Sequence, residues 1–260
     1  MTDPFSLGRD ILAALATPLQ NQRLIEVDAA AEGLVVERFR GREEVCGEYT
    51  FTIDCFITGS DRRDEDIGDV LNGQPMTLSL RCPDGGWRRW HGVCVDSYQY
   101  RDMDGLPRCE LVLGSWSFWL EERLNSEIFP QCSAQDVIER IIGEYPEAAV
   151  RFDLMAPLPQ RPMITQYREN QWAFCQRLMT EYGLAWRFEH RQDGQEDAKD
   201  GGPPVTLVVF DQHACLPEGP SLDFHNDRSE ESRPSVTRFT DGSRLTPNAV
   251  QVASWHSSKV

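Results

Sequence analysis

A chain of 260 residues, 40% of them hydrophobic and seven of them tryptophan, is long and apolar enough to bury one large core or two modest ones. Its 42 acidic against 26 basic residues leave a formal charge of −16 and a pI near 4.7. That excludes non-specific binding to nucleic acid or to anionic membranes, which needs a basic surface. No run approaches the roughly 20 apolar residues that span a bilayer.

In chain order, residues 1–22 read as a short amphipathic helix carrying Phe5, Leu7, Ile11, Leu12 and Leu15; Asp3 and the single Arg9 before its apolar run do not make a secretory signal. Leu24–Asp28 and Leu34–Arg40 read as strands. Glu48–Ile57 alternates, with Tyr49, Phe51, Ile53 and Cys55 on one side. Gly59–Asp66 reads as a charged loop, Asp66–Leu71 as a helical turn ended by Asn72-Gly73, and Gln74–Arg81 as another strand. Turn signals at Pro83–Gly86 and Met103–Gly105 bracket Trp87–Val95 and Ser97–Asp102, and Arg108–Gly114 pairs back. Turns at this spacing predict a β-meander in a barrel or sandwich.

Ser133 caps a helix whose apolar face is Val137, Ile138, Ile141 and Ile142. Tyr145–Pro162 is proline-rich, reads as irregular, and marks the domain boundary, giving units 18–145 and 163–260. Ile164–Arg168 is extended, and Asn170 is placed to cap a helix with Trp172, Cys175, Leu178, Met179 and Tyr182 on one face. Gly183 supplies the left-handed residue that ends it, and Leu184, Trp186 and Phe188 then alternate as a strand. A helix of this length is marginal alone and must lie on a sheet. Arg191–Pro204 reads as a polar hairpin loop, Val205–Asp211 as a buried strand, and Ser235–Phe239 and Val250–Trp255 as further strands. The class is mainly β with short packed helices, α+β.

The residues show no chemistry by themselves. His190, Asp211, His213 and His225 lack the paired spacing of a zinc site. Cys82, His91 and Cys94 straddle one hairpin, but His91 reads as a strand residue. No Gly-x-Ser-x-Gly elbow or phosphate loop occurs; Gly114-Ser-Trp-Ser117 lacks the closing glycine. Cys132 and Cys175 have no neighbouring base in sequence. Trp87, Trp90, Trp116 and Trp119 read as core or interface rather than as a carbohydrate cleft. The eight cysteines, with no Cys-x-x-Cys, read as small hydrophobes in a reduced cytoplasmic protein. No catalytic, cofactor-binding or metal residue is assigned, and no cofactor is expected.

A resemblance adds what the residues alone leave open. Gln166-Tyr-Arg-Glu-Asn170, Trp172-x-Phe174, Arg177-Leu-Met179, Glu181-x-Gly-Leu184 and Phe188-Glu189 resemble the VgrG family, spike proteins of type VI secretion systems, in the part similar to the hub of contractile phage baseplates. The likeness extends in the same order through Leu34-x-x-x-Arg38-Phe-x-Gly41, Asp69-Val-Leu-Asn-Gly73, Arg89-x-His91-Gly-Val93, Trp119–Phe129, Ser133–Ile142 and Leu207–Asp211. It implies two related tube-like β domains per chain. It implies a structural, non-enzymatic hub that assembles as a homotrimer, joins a hexameric tube protein to a puncturing needle, and delivers effectors into target cells. It also implies residence in the cytoplasm before firing and export without a signal peptide. The family continues into a neck and a β-helical spike. Because this chain stops at Val260, in what resembles mid-domain, it is expected to be monomeric or weakly oligomeric on its own. An adaptor or docking module for an effector or chaperone, or a contractile phage hub, is the alternative.

Overall fold

The computed structural model describes residues 24–58, 67–82, 85–101, 107–192 and 202–212, with short pieces between 221 and 251. The expected helix in 1–22 and the strand at Val250–Trp255 lie outside these residues, apart from the isolated Gln251. Residues 1–216 and 217–260 are two compact units.

In the first unit, β1 (Ile25–Asp28), β2 (Leu34–Arg42), β3 (Thr50–Ile57), β4 (Pro75–Arg81), β5 (Trp87–Arg101) and β6 (Pro107–Gly114) form one antiparallel sheet in the order β1-β4-β5-β6-β3-β2. Only β4-β5-β6 is a meander. Strands β1 and β2 close on each other from opposite edges, so the sheet is nearly a barrel. The expected inward face of β3 is inward: Tyr49 at its start, Phe51, Ile53 and Cys55 are buried. Helix α1 (Ile67–Leu71) ends at Gly73, whose φ of 80° is left-handed. The stretches Trp87–Val95 and Ser97–Asp102 lie along one strand, β5, which runs to Arg101 with a bulge at Val95.

Two glycines in the sheet allow close approaches. A Cβ on Gly92 would lie 2.1 Å from the carbonyl oxygen of Gly114, and one on Gly41 would lie 2.1 Å from Cδ1 of Phe51. The first obstacle is backbone and cannot swing aside.

The chain continues through α2 (Ser117–Glu121), β7 (Leu124–Cys132), α3 (Ala134–Ile142), β8 (Ala149–Asp153), β9 (Arg161–Asn170), α4 (Gln171–Glu181), β10 (Ala185–His190) and β11 (Val205–Phe210). Ser133 and Asp136 form a reciprocal capping box at α3, and Asn170 accepts from the Ala173 N–H at 2.6 Å to cap α4. Gly183, at φ 64°, follows α4 as expected. Of the expected face of α4, Trp172, Cys175, Leu178 and Met179 are buried, with Phe174 added; Tyr182 follows the helix as its C-cap and is partly buried. Burying side chains such as Trp172, Phe174, Leu178 and Met179 contributes roughly 1.5–3 kcal/mol each, which holds a helix otherwise too short to stand alone.

Tyr145–Pro162 is not wholly irregular. It contains β8, which pairs in parallel with β11 in a three-stranded sheet ordered β10-β11-β8. A five-residue strand whose partner lies far along the chain leaves no local signal. One buried cluster runs from Ala31 through Ile142 and Ile164 to Val209.

Strands β7 and β9 form a separate two-stranded ribbon. Its bulge is Arg168, at φ 49°, whose N–H donates to Ser126 Oγ at 3.0 Å. Arg177 on α4 grips the end of β9: Nη2 donates to Glu169 Oε1 at 2.6 Å and Nε donates to Glu169 Oε2 at 3.1 Å, while Nη1 donates to Glu181 at 2.7 Å. In the second unit, Asp223–Phe224 (β12) and Ser235–Val236 (β13) pair in parallel, so of Ser235–Phe239 only the first two residues are strand.

Replacing Gly92 by alanine forces the Gly114 carbonyl to move and is expected to cost about 2–4 kcal/mol. Urea unfolding of the full chain checks this; an unchanged midpoint would refute the close approach.

Candidate functional site: a latch between sheets and an exposed ribbon

Strand β5 is longer than either neighbour. Residues 87–93 pair with β4 and residues 93–101 with β6, so the stretch before Val93 has a sheet neighbour on one side only. Alternate residues of a strand direct their N–H and C=O to opposite edges, and here the second edge is met by side chains from the end of β10. Gln192 Oε1 accepts from the Arg89 N–H at 2.8 Å, and its Nε2 donates to the Arg89 carbonyl at 2.9 Å and to the His190 carbonyl at 3.0 Å. His190 Nδ1 accepts from the His91 N–H at 3.1 Å. The primary amide of Gln192 thus replaces a strand neighbour.

Partners hold both imidazoles in place. His91 Nε2 donates to the Arg191 carbonyl, which can only accept, at 2.9 Å, and its Nδ1 lies 3.0 Å from Thr77 Oγ1. His190 accepts at Nδ1, leaving its proton on Nε2, 3.8 Å from Glu43 Oε1. Glu43 Oε2 takes the Trp90 indole N–H at 3.0 Å. Burial, then the neighbouring His91 and Arg88, push His190 down to about 3, so the Glu43 carboxylate does not make it a cation at neutral pH.

Aromatic rings fill the space around this latch. Tyr49 meets His190 edge-on at 4.6 Å and Phe188 at 5.2 Å, while its hydroxyl donates to the His91 carbonyl at 2.7 Å. Trp172 packs edge-on against Trp186 at 5.2 Å, and Trp116 against Phe188 at 5.6 Å. The Trp116 indole N–H donates to the Val205 carbonyl, and the Cys46 N–H to the Trp186 carbonyl.

The residues weighed for chemistry are dispersed. His190 and His91 serve the latch. Asp211 accepts from the Met155 N–H at 2.9 Å; His213 and His225 lie outside the described residues. The Cys94 thiol faces Asn72 and the Asp96 carbonyl, while Cys82 faces the Leu80 carbonyl, so neither turns to His91. Cys132 faces the Phe129 carbonyl, and Cys175 is buried in α4, with burial pushing its thiol up to about 12. Trp90 and Trp116 are core, Trp119 is partly buried, and Trp87 lies under the Arg81 guanidinium. Of the cysteines expected to be buried, Cys46 is exposed. Among the described residues, no three metal-ligating side chains converge.

Two carboxyls are perturbed among the described residues: burial and then the charge of Glu48 raise Glu121, at the end of α2, to about 7, while hydrogen bonds from Ser133 lower Asp136 in its capping box. Gln192 and Glu43 were not singled out from sequence. The backbone that Gln192 closes, at Arg89, lies 103 residues away, and nothing in the local pattern marks either residue.

A second surface is the outer face of the β7–β9 ribbon. Its inner face packs Phe129 and Ile164 into the core. The outer face exposes Leu124, Ile128, Met163 and Tyr167. Lone exposed hydrophobics are ordinary, but four on one face of two paired strands form a patch of the kind that marks protein contact.

The fold matches the E. coli c3393 protein, a type VI secretion component described as structurally similar to the T4 bacteriophage tail proteins gp27 and gp5, with a TM-score of 0.63 at 20% identity, over 77% of this chain and 52% of that one. It also matches a tail protein of Neisseria meningitidis, with a TM-score of 0.52 at 15% identity, over 81% and 57%. Residues 42–259 match the model of the phage tail baseplate hub (GPD) family, and the chain belongs to that family. It is 27% identical over 175 residues to the type VI secretion system spike protein VgrG1b of Pseudomonas aeruginosa, covering 66% of this chain and 23% of the relative. It is 26% identical over 220 residues to VgrG4b of the same organism, covering 83% and 25%. The chain thus spans about a quarter of the length of these curated relatives.

Because His190 is held neutral when folded but protonates near 6.5 when unfolded, its contribution is complete above pH 6.5. It is lost as the pH falls from 6.5 towards 3, by a few kcal/mol in all. Replacing His190 by asparagine keeps an acceptor for the His91 N–H. That variant is expected to be less stable at pH 8 and to lose less further stability between pH 6.5 and 3 than the native chain. Parallel pH profiles of the two proteins in urea unfolding would refute the assignment.

Proposed function

We propose that this chain is the hub segment of a type VI secretion spike, a structural part that assembles through protein surfaces and carries out no catalysis. The observation that carries the proposal is the baseplate-hub match over residues 42–259, joined to similarity with type VI spike proteins over 66–83% of the chain. In this reading the chain joins two further copies as a homotrimer, abuts a hexameric tube protein, and connects it to the needle that delivers effectors. It waits in the cytoplasm and leaves through the apparatus itself. No helix among the described residues is long and apolar enough to cross a membrane. Residues 18–145 and 163–260 correspond, in this reading, to two related hub-like units.

Two features support a mechanical role. The latch closes a backbone edge with the buried His190 and the partly buried Gln192, which suits a body that transmits force without shearing between its sheets. The exposed ribbon supplies an apolar surface for assembly, and apolar burial is the main favourable term in lasting protein contacts.

The decisive experiment measures the solution mass of the purified chain alone and mixed with its cognate tube protein. The expected result is a monomer or weak oligomer alone and a ring-sized assembly on mixing. Ile128→Glu on the ribbon is expected to prevent assembly without lowering the Tm. A chain that stays monomeric with tube protein in excess at tens of micromolar overturns tube contact by these residues and returns the adaptor reading.

A further inference from the structure

The nearly closed sheet holds a pair of thiols that the hub reading does not use. Cys55 on β3 and Cys109 on β6 are direct register partners, and both are fully buried. Opposed residues on antiparallel strands have Cα atoms about 4.5–5.5 Å apart, within the roughly 4.4–6.8 Å that a disulfide spans without backbone movement. Interaction with the facing Cys109 thiol, followed by burial, raises Cys55 above the ordinary thiol range.

The other cysteines in these sheets lack such a partner. Cys94 is paired in register with Leu113, and Cys132 with Arg161, while Cys175 is on a helix. Cys94 is near enough to Cys109 to feel its charge and is the competing partner.

We propose that Cys55 and Cys109 form a redox-set cross-strand staple: two thiols in a reducing medium, and one disulfide once the sheet opens in the presence of a thiol oxidant. The step removes two electrons and two protons from the pair. With a small-molecule disulfide as oxidant, one thiolate attacks it and releases a small thiol. The second protein thiolate then displaces the other small thiol and completes the S–S bond. With diamide, a diazene, one thiolate adds across the N=N bond and the second sulfur displaces a hydrazine that carries both hydrogens away. Both sulfurs are sealed inside the sheet, so reagent reaches them only through local opening of β3 and β6. Either form, once closed, therefore persists. The bond ties two central strands and shortens the free chain between residues 55 and 109 in the unfolded state.

The test uses the full chain, purified reduced and then incubated with diamide in urea just below the unfolding midpoint. Remaining thiols are alkylated, the protein is unfolded, and its peptides are mapped by mass spectrometry. The expected result is a cross-linked Cys55–Cys109 peptide about 2 Da lighter than the two reduced peptides combined. The oxidised chain should also melt about 5–15 °C higher than the reduced one. Cys109→Ala should give no such peptide and no rise in Tm on oxidation. Recovery of both residues as alkylated thiols from the native chain, or a Cys94–Cys109 cross-link instead, overturns the proposal; this mapping does not depend on the variant folding.

Discussion

The structure depends on a mismatch of strand length. Strand β5 outruns both neighbours, and a buried backbone edge without hydrogen-bond partners costs free energy wherever it occurs. The unpaired stretch is met by the Gln192 amide and the His190 imidazole rather than by another strand. Side-chain closure fixes register as well as energy, since Gln192 can serve the Arg89 N–H and C=O together only from one position. The three-stranded sheet is therefore bound to the barrel-like sheet at defined atoms, and the aromatic rings around Tyr49 and Trp172 fill the space between.

The motif residues that mark the family act here through geometry. Gly92 permits the approach of the Gly114 carbonyl, and His91 beside it presents its N–H and ring to the latch. Gly41 leaves room for the Phe51 ring, and Arg38, three residues earlier, donates to Asp54 at 2.6 Å on the outer face. Glu169, Asn170 and Arg177 tie the ribbon to helix α4: Asn170 caps the helix while Arg177 holds Glu169 with two nitrogens. Short spacings recur because each couples a backbone requirement to one or two side chains close in sequence.

Such a scaffold suits a part whose work is to be held between others. Its buried titratable groups stabilise or fill rather than react: His190 accepts from a backbone amide, and the thiols of Cys94 and Cys175 are pushed up by burial. Among the described residues, Leu124, Ile128, Met163 and Tyr167 share the outer face of the ribbon, outside the latch. Rigidity and contact surface are thus separated, the first resting on hydrogen bonds in the interior and the second on two strands packed through one face only.

The sequence by itself determined the local elements. The alternation in Glu48–Ile57, the capping box at Ser133, the Asn170 cap with its helical face, and the left-handed Gly183 were all legible, because each depends on residues within a few positions of one another. Order of motifs along the chain made the family legible too. Tertiary structure alone decided the strand order β1-β4-β5-β6-β3-β2, the parallel pairing of β8 with β11, and the use of His190, Gln192 and Glu43. Those features join residues tens to a hundred positions apart. A side chain that satisfies a distant backbone edge needs only the right donor and acceptor, so it leaves no periodicity or spacing in the chain that carries it.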